Sequence, residues 1–167
     1  MTMQTDVKSA HLNSTGVAML GRTRLKGLTT AHTATAGVVH VFDASAAATA
    51  ITYERATTTV TVTHTSHGLV TGDVVGLAFT PAGGVSATNG NYSITRVDAN
   101  SYTVTDINSG TIAAGTGGFA ARRWLTSMDT PAVLGTNTMV IPGEGVLATT
   151  GLVMTLTNQV GTTVFYG

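Results

Sequence analysis

The sequence predicts an all-β fold: a small antiparallel β-sandwich with an inserted small β-barrel or meander. Three observations lead there. Apolar residues almost nowhere recur at helical spacing; threonine, valine and glycine dominate the chain; and short alternating stretches are punctuated by glycine-, asparagine- and aspartate-rich turns. The best helical candidate, Ala44 to Ala50, is too short to stand alone and has no amphipathic stripe.

In order along the chain, strands are expected near Gly16–Leu20, Thr23–Thr30 and Val38–Phe42, with Ala34-Thr35-Ala36-Gly37 as the turn between the last two. The C-terminal portion reads as strands at Trp124–Met128, Thr138–Ile141, Val146–Ala148, Leu152–Asn158 and Thr162–Tyr166. Within it Leu152, Met154 and Leu156 alternate with Val153, Thr155 and Thr157, the period of a half-buried strand. Pro142-Gly143-Glu144-Gly145 is a turn signal, Asn158-Gln159-Val160-Gly161 is expected to join a final hairpin, and Pro131 belongs at an edge or in a loop.

The middle of the chain has its own pattern. Val60 and Val62 share one face of Thr57–Thr63, and Val75, Leu77 and Phe79 share a face of the next strand. Tyr92 and Ile94 are expected to pair with Tyr102 and Val104 across a hairpin closed by Asp98-Ala99-Asn100-Ser101, with a bulge or early strand end at Arg96 and Val97. Gly115-Thr116-Gly117-Gly118 reads as a hinge back to the flanking sequence. Residues 1–55 and 122–167 are therefore expected to build a discontinuous β-sandwich, the docking domain, and residues 56–121 the inserted barrel-like module.

Composition narrows the function. Charged residues make up 10% of the chain, well below the roughly 25% usual for soluble domains. So uncharged a surface is expected to be buried against other subunits; its alternative is a threonine, serine, glycine and asparagine surface that is polar without charge. The formal net charge is zero, which speaks against binding nucleic acid through a basic face. The absence of cysteine removes disulfides and thiolate metal sites. Met1 to Leu20 contains no apolar run behind basic residues, so no signal peptide is expected, and no stretch has the length of a membrane-spanning helix.

Catalytic and ligand-binding patterns are weak. His64 and His67 have H-x-x-H spacing, but an extended strand would point them to opposite faces without a further ligand, so no metal or cofactor is expected. His11, His32 and His40 are scattered singly. Nothing resembles G-x-S-x-G, and Asp73, Asp98 and Asp106 read as turn acids, so no enzyme is expected. Arg22, Arg24 and Lys26 alternate on one strand as a basic stripe, either docking on an acidic partner or paired with Asp6 or Glu144. Arg122 and Arg123 beside Trp124 suit a cation–π contact or a grip on a neighbour, or a simple arginine pair at the joint; Trp124 itself is expected in packing. These six residues are the candidate docking set.

The His67-Gly68-Leu69 turn, Gly72-Asp73-Val74-Val75, Asn89-Gly90-Asn91-Tyr92, Ile94 and Val97-Asp98-Ala99-Asn100-Ser101-Tyr102-Thr103-Val104 carry a resemblance. Over about Thr57 to Thr105 they resemble a module that recurs in tailed-bacteriophage structural proteins. That module is often likened to the small β-barrel first catalytic cysteine half-domain of ubiquitin-activating enzymes, whose activity does not carry over to a chain without cysteine. In the flanks, Lys8-Ser9-Ala10-His11-Leu12-Asn13-Ser14-Thr15-Gly16-Val17, Gly21-Arg22-Thr23-Arg24-Leu25-Lys26-Gly27, Asp129-Thr130-Pro131-Ala132, Ile141-Pro142-Gly143-Glu144-Gly145 and Val164-Phe165-Tyr166-Gly167 resemble short structural proteins of marine and cyanobacterial phages.

The resemblance implies a virion protein made in the host cytoplasm. Its expected role is capsid decoration: the sandwich cements the major capsid protein of the outer shell, as a homo-oligomer for which a trimer is the natural guess, and the module projects outward. The alternatives are a neck, tail or head-fibre part presenting an adhesin, or a carbohydrate-binding module. No nucleic acid and no membrane partner is expected.

Overall fold

A computed structural model of the chain describes residues 7–81 and 86–167. Those residues hold sixteen strands and no helix. Asp6, one acid considered for the basic stripe, lies outside them. The all-β expectation is met: the sheets are built from antiparallel pairings, and the helical candidate Ala44–Ala50 is an extended bend that runs into a strand at Thr49. The chain divides into two compact units, residues 1–47 with 125–167, and residues 48–124, whereas the sequence pattern predicts these joints after 55 and 121.

The strands, in chain order, are β1 (Lys8–Leu12), β2 (Gly16–Leu20), β3 (Thr23–His32), β4 (Gly37–Asp43), β5 (Thr49–Ala56), β6 (Thr59–Thr63), β7 (Val74–Phe79) and β8 (Gly90–Ser93). They continue as β9 (Thr95–Arg96), β10 (Ser101–Thr105), β11 (Ile112–Ala121), β12 (Arg123–Thr130), β13 (Gly135–Val140), β14 (Val146–Ala148), β15 (Gly151–Thr157) and β16 (Gln159–Tyr166).

The unit made from both ends of the chain is a sandwich. One sheet has the order β1-β16-β3-β13, with β14 also on β3; the other has the order β12-β4-β15-β2. Leu25 and Leu28 of β3 and Val164 of β16 meet Val39 and Val41 of β4 and Leu152 and Met154 of β15 in one core. Each such side chain contributes about 1.5–3 kcal/mol by leaving water.

β3 presents Thr23 and Leu25 inward, then changes phase to bury Leu28, Thr30 and His32. The cause is a bulge: β16 aligns Phe165 with Gly27 and Tyr166 with Leu25, skipping Lys26. β13 and β14 lie end to end along the same side of β3, against His32–Gly27 and Leu25–Thr23. Pro142-Gly143-Glu144-Gly145 therefore loops out of one interrupted edge and does not join neighbouring strands of a hairpin. Gly145 is required there, because its φ is +78° and an added Cβ would stand 2.2 Å from the Leu25 carbonyl oxygen. The turn expected at Asn158 is present as a bend, but the expected final hairpin is corrected: β15 and β16 lie in different sheets, and Asn158, with φ of +57°, is the corner between them.

The central unit is a nearly closed barrel with strand order β8-β7-β11-β5-β6-β10-β9. β8 and β9, at the two ends of that order, are consecutive in the chain, so one bent segment completes the wall. At the bend the Ile94 N–H donates to the Asp73 carbonyl (3.0 Å) and its carbonyl accepts from Gly72 N–H (2.9 Å), while its side chain enters the core with Val60, Val62, Leu77, Tyr102 and Val104.

Two expectations fail in this unit, and one strand has no counterpart among them. Tyr92 stands opposite Val75, and it is Arg96 that stands opposite Tyr102; the aromatic pair shares a core and not a ladder rung. Gly115-Thr116-Gly117-Gly118 is no hinge but part of β11, where the register with β5 slips between Ile112 and Thr116. A Cβ on Gly118 would lie 2.8 Å from the Ala78 carbonyl oxygen, so this glycine lets β11 sit against β7. β5 itself was not anticipated.

Candidate interaction surfaces and buried polar sites

The basic stripe is split by its surroundings. Arg22 is exposed in the bend before β3, while Arg24 and Lys26 are half-buried on its outer face. Both of the latter close on the loop that breaks the facing edge: Arg24 Nη2 lies 3.1 Å from Glu144 Oε2, and Lys26 Nζ donates to the Glu144 carbonyl at 2.9 Å. Glu144 is thus the acid that answers the stripe.

In the central unit Arg122 is exposed at the bend between β11 and β12, and Arg123 and Trp124 are half-buried. The Asn91 side chain binds the Trp124 backbone on both sides, accepting from its N–H at 2.8 Å and donating to its carbonyl at 3.0 Å. Gly76 of β7 lies flush against the same backbone, since a Cβ there would fall 2.1 Å from the Trp124 nitrogen.

The sandwich exposes its outer strands. β2 and β13 end their sheets, and neither Gly-Val-Ala-Met-Leu nor Gly-Thr-Asn-Thr-Met-Val contains a charge or a proline. Leu20 on β2 is 60% exposed and Val140 on β13 is 75% exposed; Leu134, in the turn leading into β13, reaches 77%.

The buried polar groups hold turns and strands together. Arg55 points into the barrel, where Nη1 meets Asp106 Oδ2 at 2.5 Å with both side chains wholly excluded from solvent. Arg55 Nε also donates to the Gly110 carbonyl (3.0 Å), and Asp106 accepts from the N–H groups of Thr88 and Asn108. Asp106 is therefore more than the turn acid expected. Asp73 and Asp98 do close turns, accepting from Val70 N–H (2.9 Å) and Asn100 N–H (2.6 Å).

Asp43, at the end of β4, accepts from the N–H and hydroxyl groups of Thr149 and Thr150 and from Gly151 N–H. Burial acts to raise its pKa, but these bonds outweigh burial and hold it well below the usual carboxylate range.

Among the histidines, His11 meets the Thr163 hydroxyl at 2.9 Å and His32 is buried near the Thr33 carbonyl. His40 Nδ1 lies 2.8 Å from Ser127 Oγ, the contact of a nucleophile and its base, but burial pushes the ring down to about 4 and leaves it a weak base at neutral pH. His64 and His67 do not point apart. The chain turns between them, with Ser66 at φ of +53°, and brings the rings to 5.9 Å. No three histidine, aspartate or glutamate side chains converge as a metal site among the described residues.

Fold and sites together define an all-β protein of a sandwich and a nearly closed barrel, with the uncharged strands β2 and β13 each ending one sandwich sheet. No family model, no curated protein and no solved structure matches the chain.

Proposed function

We propose that this chain is a non-enzymatic structural subunit of a virion shell, a capsid decoration protein that cements the major capsid protein through its sandwich. One observation carries the assembly part of this reading. β2 and β13 are outer strands with neither charge nor proline, flanked by exposed Leu20, Leu134 and Val140. Soluble monomers ordinarily protect such edges with lysine, proline or a covering segment. With no strand paired on their outer side among the described residues, they suit burial against neighbouring subunits, where apolar, weakly charged surface concentrates at the centre of an interface. The virion part is supported by the resemblance of the residues from Thr57 to Thr105 and of the flanks. Many weak contacts repeated by symmetry give firm adhesion without a strong single site.

Quantitative mass spectrometry of purified particles tests the proposal. A copy number near parity with the major capsid subunit, or about a third of it, fits shell decoration by single copies or trimers. A few per cent would move the protein to the neck or tail, and absence from particles would end the virion reading.

A further inference from the structure

At one end of the barrel the loop between β6 and β7 folds onto the turn between β9 and β10. His64 N–H donates to the Asn100 carbonyl (2.8 Å), Ser66 N–H to Asn100 Oδ1 (2.9 Å) and His67 N–H to the Ala99 carbonyl (3.3 Å). Two imidazoles stand in this contact with the buried ring of Tyr102. The ring centroids of His67 and Tyr102 are 5.2 Å apart, and those of His64 and Tyr102 are 6.1 Å apart.

The hydrogen bonds of His67 indicate which ring nitrogen carries its proton in the closed loop. Leu69 N–H points at His67 Nδ1 from 3.0 Å, so Nδ1 must offer a lone pair. The proton of the neutral ring then sits on Nε2, which lies 3.1 Å from the Asp98 carbonyl that needs a donor. A second proton on the ring would set one N–H against another and undo the Leu69 contact. His64 is half-buried beside it, and its Nδ1 is shut from solvent with no hydrogen-bond partner.

We propose that the loop from His64 to Asp73 is an acid-released latch, held on the β9–β10 turn by two uncharged imidazoles and freed when they take up protons. Burial, and then the nearby His67, lower the pKa of His64, so a charge on that ring is unfavourable to the closed loop. The other groups facing the pair are few. From the turn come the exposed Asp98 carboxylate, which weakly attracts a charge on His67 and so opposes release, and the exposed Arg96, whose Nε donates to the same Asp98 carbonyl at 3.0 Å. From the loop comes the Asp73 carboxylate, occupied by Val70 N–H. From β10 comes the Tyr102 phenol, held neutral by a pKa raised through burial.

Amide hydrogen exchange on the whole chain at pH 7.5 and 5.0, corrected for intrinsic rates, tests the latch. Protection at Ser66, His67 and Leu69 should fall by about tenfold or more, the factor that goes with each unit of pKa separating closed from open loop. Val60 and Val104, in the barrel wall, should keep theirs. The variant His64→Phe with His67→Asn keeps a ring against Tyr102 and an acceptor for Leu69 N–H without a titrating group, and should stay closed at pH 5.0. Unchanged protection in the wild type, equal losses at Val60 and Val104, or release of the folded variant at the same pH would each overturn the proposal. Should the variant not fold, the wild type decides alone: the His67 ring proton shift and Leu69 protection must change with one midpoint, and separate midpoints refute the latch.

Discussion

Arg55 and Asp106 form an ion pair inside the barrel, 2.5 Å apart and with no solvent exposure on either side chain. Their worth lies in what each would cost alone. Asp106→Ala leaves a buried guanidinium without its counter-charge and is expected to destabilise by about 3–5 kcal/mol. Replacing both residues, Arg55→Met with Asp106→Ala, should cost less than the single change. A double-mutant cycle by urea denaturation checks this; equal or larger loss in the double variant would remove the pair from its central role.

Asp43 predicts acid sensitivity in the sandwich. Its carboxyl is held below the ordinary range by the hydrogen bonds from Thr149, Thr150 and Gly151, against the opposing effect of burial. A carboxylate with a depressed folded pKa stabilises fully above its unfolded value, about 3.9, and that stability is lost as pH falls through the folded value. Asp43→Asn turns part of the acceptor set into donors facing donors, and should lower stability at pH 7 by about 2–4 kcal/mol. It should also flatten the loss below pH 4, as read from denaturation midpoints across pH.

His40 acts in a higher window. Burial lowers its pKa from 6.5 to about 4. Between those values the unfolded chain binds a proton that the folded chain refuses, so stability is complete above pH 6.5 and declines as pH falls towards 4. The whole effect is bounded at about 3 kcal/mol. His40→Gln keeps a hydrogen-bonding group near Ser127 and removes the titration. Its stability should fall less steeply than that of the wild type between pH 7 and pH 5, with His64 supplying part of the remaining slope, and a slope as steep as that of the wild type would assign the effect elsewhere.

The Asn91 side chain and the Trp124 backbone give a prediction with a built-in reporter, since Trp124 is the only tryptophan. Asn91→Ala removes both hydrogen bonds and should cost about 1–3 kcal/mol, with a red shift of tryptophan emission in the folded protein as the backbone loosens. An unchanged spectrum would mean that Gly76 and the strand pairing of β7 hold this segment without Asn91.

These relationships divide by how far the sequence reveals them. The clean alternation of Val60 and Val62, and of Val75, Leu77 and Phe79, is legible because one buried face imposes a period of two. β5 shows the same period in Ile51, Tyr53 and Arg55, but an inward arginine breaks the apolar pattern, and only its distant partner Asp106 makes burial tolerable. Gly115 and Gly118 read as a hinge because glycine signals both flexibility and close approach; the nearness of the Ala78 carbonyl decides between them. Sheet membership was equally hidden. The alternation in β15 and β16 is the same whether they form a hairpin or cross the sandwich, and the corner at Asn158 settles it. Among the partners of the six docking candidates, Glu144 is legible in the sequence as an acid for the stripe, whereas the Asn91–Trp124 contact has no sequence signal at all.

The sheet-ending strands β2 and β13 make the assembly reading testable in one protein. Val140 and Leu20 are exposed on strands that end their sheets, so lysine at either place touches no core residue of the sandwich. Val140→Lys and Leu20→Lys should each change stability by no more than about 0.5 kcal/mol. A lysine on an outer strand carries charge and a long hydrated side chain into any contact made there, the device by which natural edges refuse pairing. Analytical ultracentrifugation should therefore show the wild type associating with rising concentration and the variants remaining smaller, and the variants should rebind stripped shells at least tenfold more weakly. If a variant of unchanged stability associates and rebinds like the wild type, its strand lies outside the interface; if both do, the sandwich edges are not the docking surface.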